Sequence, residues 1–465
     1  MITGTGRKWW VLTGVGILSF LGCIDLTIVN TAAPEISREL GATMVQTQLV
    51  VNVFVVALSM FMVTAGRLSD LLGRRRVLYT GAILFGLFSL GAGLVTDVPA
   101  LIAFRFLQGA ACAVLYTGTS TIVAEAFPES RRGRAIGSLF AINGIGLAIG
   151  PMLGGLLVGV LGWHWVFLVN VPLVLVALLI CAVSVHESRG ADGTGVDWPG
   201  LALLAIGLAG VLFAVTFGDT FGWGSWPVLG ALAAGSLALA AFVLVDRGAA
   251  HPLVPFPLLA NRRFLSAVVA EFSLAFFYTT ALFLMPLYLS VVRRFDEVVI
   301  GLLMLPTTVV VALLSPVLGR VVDRVGACVV MMTGFGAFAG SALLQSRLDS
   351  GTGLGYVVAA FVLMGIGWAA VLGPSAVTAL SAVPPESAGL AVGATWTFHN
   401  LGGGIGLAVG MTLFRAFAGD GAVRADTFPA GNRAAMLLLA GTSLAALAGI
   451  AVLGRRTWRK PGNQR

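Results

Sequence analysis

Two charged residues stand inside runs that are otherwise apolar, Asp25 in "CIDLTIVNTAAPEI" (23–36) and Arg105 in "LIAFRFLQG" (101–109). Held in hydrocarbon, each costs at least about 2.5–3.5 kcal/mol, so both must turn toward the protein interior and find partners. Their depths suggest one another. At about 1.5 Å of rise per residue, Asp25 lies roughly 12 Å from the outer end of its run at Ala33, and Arg105 roughly 9 Å from Pro99. A carboxylate beside a cation and water can work as a proton switch, because protonation neutralises Asp25 and frees Arg105. The same pair can equally be a plain structural salt bridge.

Glu271 and His399 are the next ionisable residues inside apolar runs. Glu271 can be a second proton carrier, a counter-ion for a cationic ligand, or a side chain that snorkels to the inner interface. His399, in "TWTFHNLGGG", can line a cavity or be a hydrogen-bonded packing histidine. Asn30, Gln108, Asn143, Glu271, Trp396, His399 and Asn400 are the candidate lining of a substrate cavity. Glu125 lies near a run end and reads as interfacial, and His164 in "GWHW" as part of an outer aromatic belt.

The elements that must carry these residues follow from composition. The chain has 465 residues, 58% of them hydrophobic and only 10% charged, against the roughly 45–50% apolar content of a soluble domain. Lipid is therefore its solvent, and backbone groups in hydrocarbon must pair internally, so the runs read as helices. About 20 apolar residues cross a bilayer. On that ruler fourteen spans are expected, near 9–34, 46–65, 77–95, 99–125, 135–161, 164–185, 199–217, 228–245, 264–290, 298–318, 327–346, 353–382, 389–414 and 434–454. The first keeps Asp25 inside it and lacks a cleavage site, so it reads as a retained helix and not a signal peptide.

With the N-terminus in the cytoplasm, twenty Lys and Arg residues fall on inner segments and seven on outer ones. That asymmetry favours both termini inside, and it accounts for the net charge of +8 without nucleic acid. The basic tail "GRRTWRKPGNQR" would rest against anionic headgroups or serve only as a stop signal. Cys23, Cys112, Cys181 and Cys328 show no metal spacing and read as small core residues. No cofactor and no metal are expected. The few polar intramembrane residues form no triad or paired-carboxylate centre, which argues against an enzyme, and the "GxGxxG" look-alikes lie inside apolar helices.

The charged bridge "GRLSDLLGRRR" (66–76) has its Gly-Arg-x-x-Asp-x-x-Gly spacing repeated in "GRVVDRVG" (319–326). "PES" at 128–130 returns at 385–387, and "GIGLAIG" at 144–150 as "GIGLAVG" at 404–410. Each pair sits eight spans apart, so the chain reads as two six-helix halves, with spans seven and eight inserted between them. The expected organisation is a bundle over 1–185, two additional helices and linkers over 186–263, and a second bundle with a basic tail over 264–465. Glycines 66 and 73 are expected to permit a tight turn, while Asp70 accepts from helix N-terminal amides and pairs with an Arg. Glycines 146, 150 and 154 form a small-residue stripe that lets another helix approach, and Pro151 loosens the helix there.

Together these residues resemble the major facilitator superfamily, and within it the 14-helix drug:proton antiporters. "GRLSDLLGRRR" is similar to the superfamily's loop between helices two and three, "CIDLTIVNTAAPEI" to the helix-one signature of 14-helix exporters, "LIAFRFLQG" to their helix-four Arg motif, and "GLAIGPMLGG" (146–155) to the helix-five antiporter motif. The resemblance implies an all-α polytopic membrane protein of the major facilitator fold, with two six-helix bundles related by pseudo-two-fold symmetry and two extra central helices. It implies proton coupling at Asp25, Arg105 and Glu271. It implies a cytoplasmic gate at Gly66, Arg67, Asp70, Gly73, Arg74, Gly319, Asp323 and Arg324, and a hinge at Gly146, Gly150, Pro151, Gly154 and Gly155.

The chain departs from the family twice. Leu71 follows Asp70 where a basic residue is usual, which leaves the cation partner of Asp70 open. His399 and Asn400 stand where an Arg-Gln pair is more frequent. The expected function is export of amphiphilic drug-like or antibiotic molecules across a bacterial inner membrane, in exchange for protons, by a monomer embedded in the bilayer. A lipid or siderophore exporter, and a transporter-like sensor without flux, remain the alternatives.

Overall fold

The structure is a computed structural model that describes residues 6–188, 197–248, 258, 260–419 and 424–454, without the side chains of 44, 219–220 and 297–298. The basic tail from 455 onward therefore lies outside the described residues. In chain order the helices are α1 (Arg7–Leu40), α2 (Met44–Leu72), α3 (Arg74–Ala92), α4 (Val98–Ala126), α5 (Arg132–Leu161), α6 (His164–Leu168), α7 (Asn170–Ser184), α8 (Trp198–Phe221), α9 (Trp226–Gly248), α10 (Arg262–Leu287), α11 (Glu297–Val325), α12 (Ala327–Gln345), α13 (Leu354–Ser381), α14 (Ala388–Ala418) and α15 (Phe428–Gly454). Among the described residues, 13 spans are long and apolar enough to cross a membrane, α6 and α7 together forming one of them. The remaining expected span is α3, 19 residues long, whose first turn is spent on three arginines.

Local signals explain where the helices begin. Thr43 caps α2 in a capping box, its side chain accepting from the Gln46 amide while Gln46 answers the Thr43 backbone. Asp97, Asp197, Asn261 and Asp296 each accept a backbone N–H at the start of α4, α8, α10 and α11.

The internal repeat is visible as geometry. Gly73 ends α2 at φ 107° and Gly326 ends α11 at φ 88°, both in the left-handed region that favours glycine. Both "PES" copies mark single 3-10 turns, Glu129–Arg131 and Pro385–Ser387, that lead into α5 and α14. Gly66 and Gly319, in contrast, lie inside helices. The expectation that Gly66 helps to make the turn is corrected: a methyl group there would collide with the Gly389 carbonyl, so its role is close helix approach. Gly319 serves the same purpose, its Cα standing 3.3 Å from where a Cβ on Gly137 would be.

The chain divides into two compact units. The first comprises Met1–Ala135, Ile142–Pro255 and Val383–Thr397, and the second Ile136–Ala141, Phe256–Ala382 and Phe398–Arg465. In the first, α8 and α9 cross almost backbone to backbone, a Cβ on Gly210 coming within 2.7 Å of the Gly235 Cα, and α8 also packs on α2. In the second, α10 packs on α13 and α15, and α12 on α13 and α15. Large apolar side chains such as Leu156, Leu179, Leu237 and Leu313 are left exposed, as a lipid-facing surface requires.

Candidate functional site

The first unit encloses a polar network built around Asp25 on α1. One carboxylate oxygen, Oδ2, is ion-paired with Arg105 Nη1 from α4. The other, Oδ1, accepts from Gln108 Nε2 at 3.2 Å and from Asn170 Nδ2, at the start of α7, at 3.1 Å. The Ser89 hydroxyl on α3 accepts from both amides, at 3.0 and 2.9 Å, and donates to the Phe167 carbonyl. Arg105 is held from three further sides: Nε donates to the Val50 carbonyl at 3.2 Å, Nη1 to Gln108 Oε1 at 2.8 Å, and the guanidinium lies 4.2 Å from the Phe54 ring centroid. Asp25, Arg105, Gln108, Ser89 and Asn170 are all buried.

The Asp25–Arg105 pairing expected from depth is thus present, while Ser89 and Asn170 were not singled out in the sequence. Their signal was faint, single uncharged polar residues inside "GLFSLGAG" and "FLVNVPLV". Chemically, all three donors to Asp25 suit its ionised form. The Arg105 Nη1 contact occupies Oδ2.

A second network lies in the second unit. Glu271 on α10 is buried. Its Oε1 accepts from the Ser375 hydroxyl on α13, and its Oε2 lies 2.7 Å from His399 Nδ1 on α14. His399 Nε2 is 3.1 Å from the Tyr278 hydroxyl, and the Tyr278 ring stacks on Trp368 with centroids 4.4 Å apart. Sequence reasoning had Glu271 and His399 but not their juxtaposition, nor Ser375, Tyr278 and Trp368.

Asp70, on the last turn of α2, is fully buried and accepts from two amides at the start of α14, Gly389 at 3.0 Å and Leu390 at 2.9 Å. These first turns of α14 belong to the first unit. The cation of Asp70 is Arg74, 3.1 Å away, which also pairs with Glu125 and donates to the Pro385 carbonyl. Arg67, 8% exposed, makes no ion pair among the described residues. Glu125, read as interfacial, is exposed near the end of α4, pairs with Arg74 and accepts from Ser188 at 2.7 Å. Asp323 and Arg324 lie exposed on the last turn of α11.

The glycine stripe of α5 faces α1. A Cβ on Gly146 would meet the Phe20 carbonyl at 3.1 Å, one on Gly150 Thr27 Cβ at 3.0 Å, and one on Gly154 the Ile28 carbonyl at 2.8 Å, whereas Gly155 faces open space. Pro151 lies within α5, which continues through it. The second copy packs alike in the second unit, with Gly402 and Gly406 against the backbone of Phe272 and Phe276 on α10 and Gly410 against the Thr280 side chain.

Of the expected cavity residues, Asn143 accepts from the Ser19 hydroxyl at 2.7 Å, and Trp396 meets the Tyr116 ring edge-on at 5.0 Å. Tyr116 in turn contacts Cys23 Sγ at 3.1 Å. Asn30 is exposed on α1, and Asn400 is half-buried on α14. His164 stacks on Trp163, whose indole donates to Glu39 at 3.0 Å. Cys23, Cys112 and Cys181 are buried and Cys328 half-buried, all as free thiols.

Comparison with known proteins gives one consistent answer. The chain is 32% identical over 420 residues to the tetracenomycin C resistance and export protein of Streptomyces glaucescens, covering 89% of this chain and 77% of the relative. It is 32% identical over 409 residues to a puromycin resistance protein of Streptomyces alboniger, covering 87% and 81%. It is 32% identical over 400 residues to the multidrug resistance protein Stp of Mycobacterium tuberculosis, covering 86% and 74%. Among solved structures, the human organic anion transporter MFSD10 superposes with a TM-score of 0.69 at 16% identity, covering 95% of this chain and 99% of that one, a likeness of fold. Residues 15–407 match the family described as Major Facilitator Superfamily, and with that match and these relatives the chain belongs to it.

Proposed function

We propose that this transporter is a proton-coupled antiporter that exports amphiphilic, drug-like or antibiotic molecules by alternating access. It works as a monomer in a bacterial cytoplasmic membrane, with both termini on the cytoplasmic side. The observation that carries the reading is the buried Asp25–Arg105 pair, whose surroundings satisfy only the ionised carboxylate. A proton on Asp25 releases Arg105, and the helices that hold them, α1 and α4, are then free to rearrange. Glu271 belongs to a second proton-carrying site, the network it forms with His399. The driving force suffices, since one charge gains about 2.3 kcal/mol per 100 mV. Drug export is supported by the relatives, which are named for resistance to tetracenomycin C, to puromycin and to multiple drugs.

Two further elements serve switching. Asp70 with Arg74 holds the N-terminus of α14 and acts as a cytoplasmic latch, assisted by Gly66 and Gly73, with Gly319, Asp323 and Arg324 as the repeated copy. The α5 stripe at Gly146, Gly150 and Gly154, with Pro151, packs tightly on α1 and bends as the transporter changes state. The test is uptake into inverted vesicles under an imposed proton gradient, using puromycin and tetracenomycin C beside cationic, neutral and anionic amphiphiles. Gradient-driven accumulation that collapses with a protonophore is expected. Accumulation that ignores the gradient would refute proton coupling.

A further inference from the structure

His399 shows a hydrogen-bonding arrangement that Asp25 lacks: each of its charge states, and each of Glu271's, has partners in place. With Glu271 ionised, Nδ1 carries the proton that the carboxylate accepts at 2.7 Å, which leaves a lone pair on Nε2 facing the Tyr278 hydroxyl at 3.1 Å. A proton added at Nε2 makes an imidazolium that donates on both sides, and the Tyr278 oxygen, donor before, becomes acceptor. The pair passes from a single negative charge to neutrality with no heavy atom leaving its place.

Ser375 supports the same bistability at the other end of the carboxylate. Its hydroxyl has one proton and two acceptors within reach, Glu271 Oε1 and the Leu372 carbonyl at 2.7 Å. When Glu271 is ionised, the proton points to Oε1. When Glu271 is protonated there, the carboxyl donates to Ser375 Oγ, and the hydroxyl turns to Leu372.

Glu271 and His399 are buried while Tyr278 is half-buried, so of the three the tyrosine has the most accessible surface. The other titratable groups on the described parts of α10, α12, α13, α14 and α15 stand at helix ends: Arg262, Arg263, Tyr288 and Arg293 at the two ends of α10 and its final turn, Cys328 on α12, Tyr356 on α13, Arg415 on α14 and Arg433 on α15.

We propose that His399 is the residue that takes up the proton in the second unit, with Glu271 as the positioning carboxylate and Tyr278 as the group through which the proton reaches it. This deepens the antiport reading and rests on it. The direct test is nitrogen-15 NMR of the full chain in lipid bilayers with labelled histidine. The chain has four histidines, so the signals lost in His399→Gln identify the residue.

His399 is expected to pass from the neutral form protonated on Nδ1 to the doubly protonated form as the pH is lowered. Glu271→Gln should abolish the preference for Nδ1, and Tyr278→Phe should change the Nε2 signal while the residue still titrates. A single charge state at every pH at which the protein stays folded, or a neutral form protonated on Nε2, would overturn the proposal. In vesicles, His399→Gln with the pH profile of the unaltered protein overturns it too, and leaves antiport standing. If the unaltered protein shows no gradient-driven accumulation, antiport falls, and the NMR titration still decides whether His399 holds the proton.

Discussion

Asp70 accepts the backbone amide of Leu390, 320 residues along the chain, at 2.9 Å. With the Gly389 amide at 3.0 Å and Arg74 at 3.1 Å, it places a carboxylate on the positive end of α14, where unpaired N–H groups and the helix dipole both favour an anion. Gly66 and Gly389 are glycines for the same reason, since a methyl group on either would strike the other's carbonyl.

Asp70→Asn keeps the shape but loses the charge and one acceptor. Hydrogen bonds to charged groups contribute about 1.5–3 kcal/mol, so the capped state should weaken by on the order of tenfold to a hundredfold. Export should slow while substrate binding, measured by intrinsic fluorescence, changes little, because a latch acts on switching. Equal losses of binding and transport would mark misfolding or a substrate role instead.

The α5 stripe supplies its own control. Gly154→Ala would drive a methyl group to 2.8 Å from the Ile28 carbonyl, a backbone atom that cannot step aside, while Gly155→Ala points into open space. Overpacking costs about 1–3 kcal/mol. Gly154→Ala should lower the melting temperature in detergent by several degrees and reduce export, and Gly155→Ala should do neither. Similar behaviour of the two variants would remove the packing account of this motif.

Reporter fusions at residues 186–197 and 247–263 should both read as cytoplasmic, because α8 and α9 enter and leave the membrane as a hairpin. The glycine crossing at Gly210 and Gly235 holds the two helices together, as that topology requires. A periplasmic signal from either segment would refute the fourteen-span arrangement.

What the sequence makes legible and what it hides divide along a physical line. Apolar length announces a helix in lipid, and a charge in an apolar run announces an inward-facing side chain, so the spans and the Asp25–Arg105 pair could be read directly. Ser89, Asn170 and Ser375 cost far less to insert and do not stand out. The approach of Glu271, Ser375 and His399 depends on which faces of α10, α13 and α14 meet, and helical periodicity in a uniformly apolar run carries little of that information. The cation of Asp70 was open because Leu71 stands where a basic residue is usual; the structure supplies Arg74, four residues on and past the break at Gly73.

Asp25 offers the sharpest test of coupling. Asp25→Asn removes the negative charge while keeping an acceptor and the approximate volume, so it imitates a permanently protonated carboxyl. Such a protein should still bind substrate and exchange it passively across the membrane, but lose accumulation driven by a pH gradient. Arg105→Ala should act differently. It leaves a buried carboxylate with only the Gln108 and Asn170 amides, and breaking a buried pair from one side costs about 3–5 kcal/mol, so expression and thermal stability should fall together with transport. Combining the two substitutions removes both charges and should recover stability relative to Arg105→Ala alone, while leaving transport uncoupled. The measurement is gradient-driven transport against external pH, alongside thermal unfolding, in all three variants. Full gradient-dependent accumulation by Asp25→Asn would rule out this carboxylate as the coupling site and move that role to Glu271 and His399.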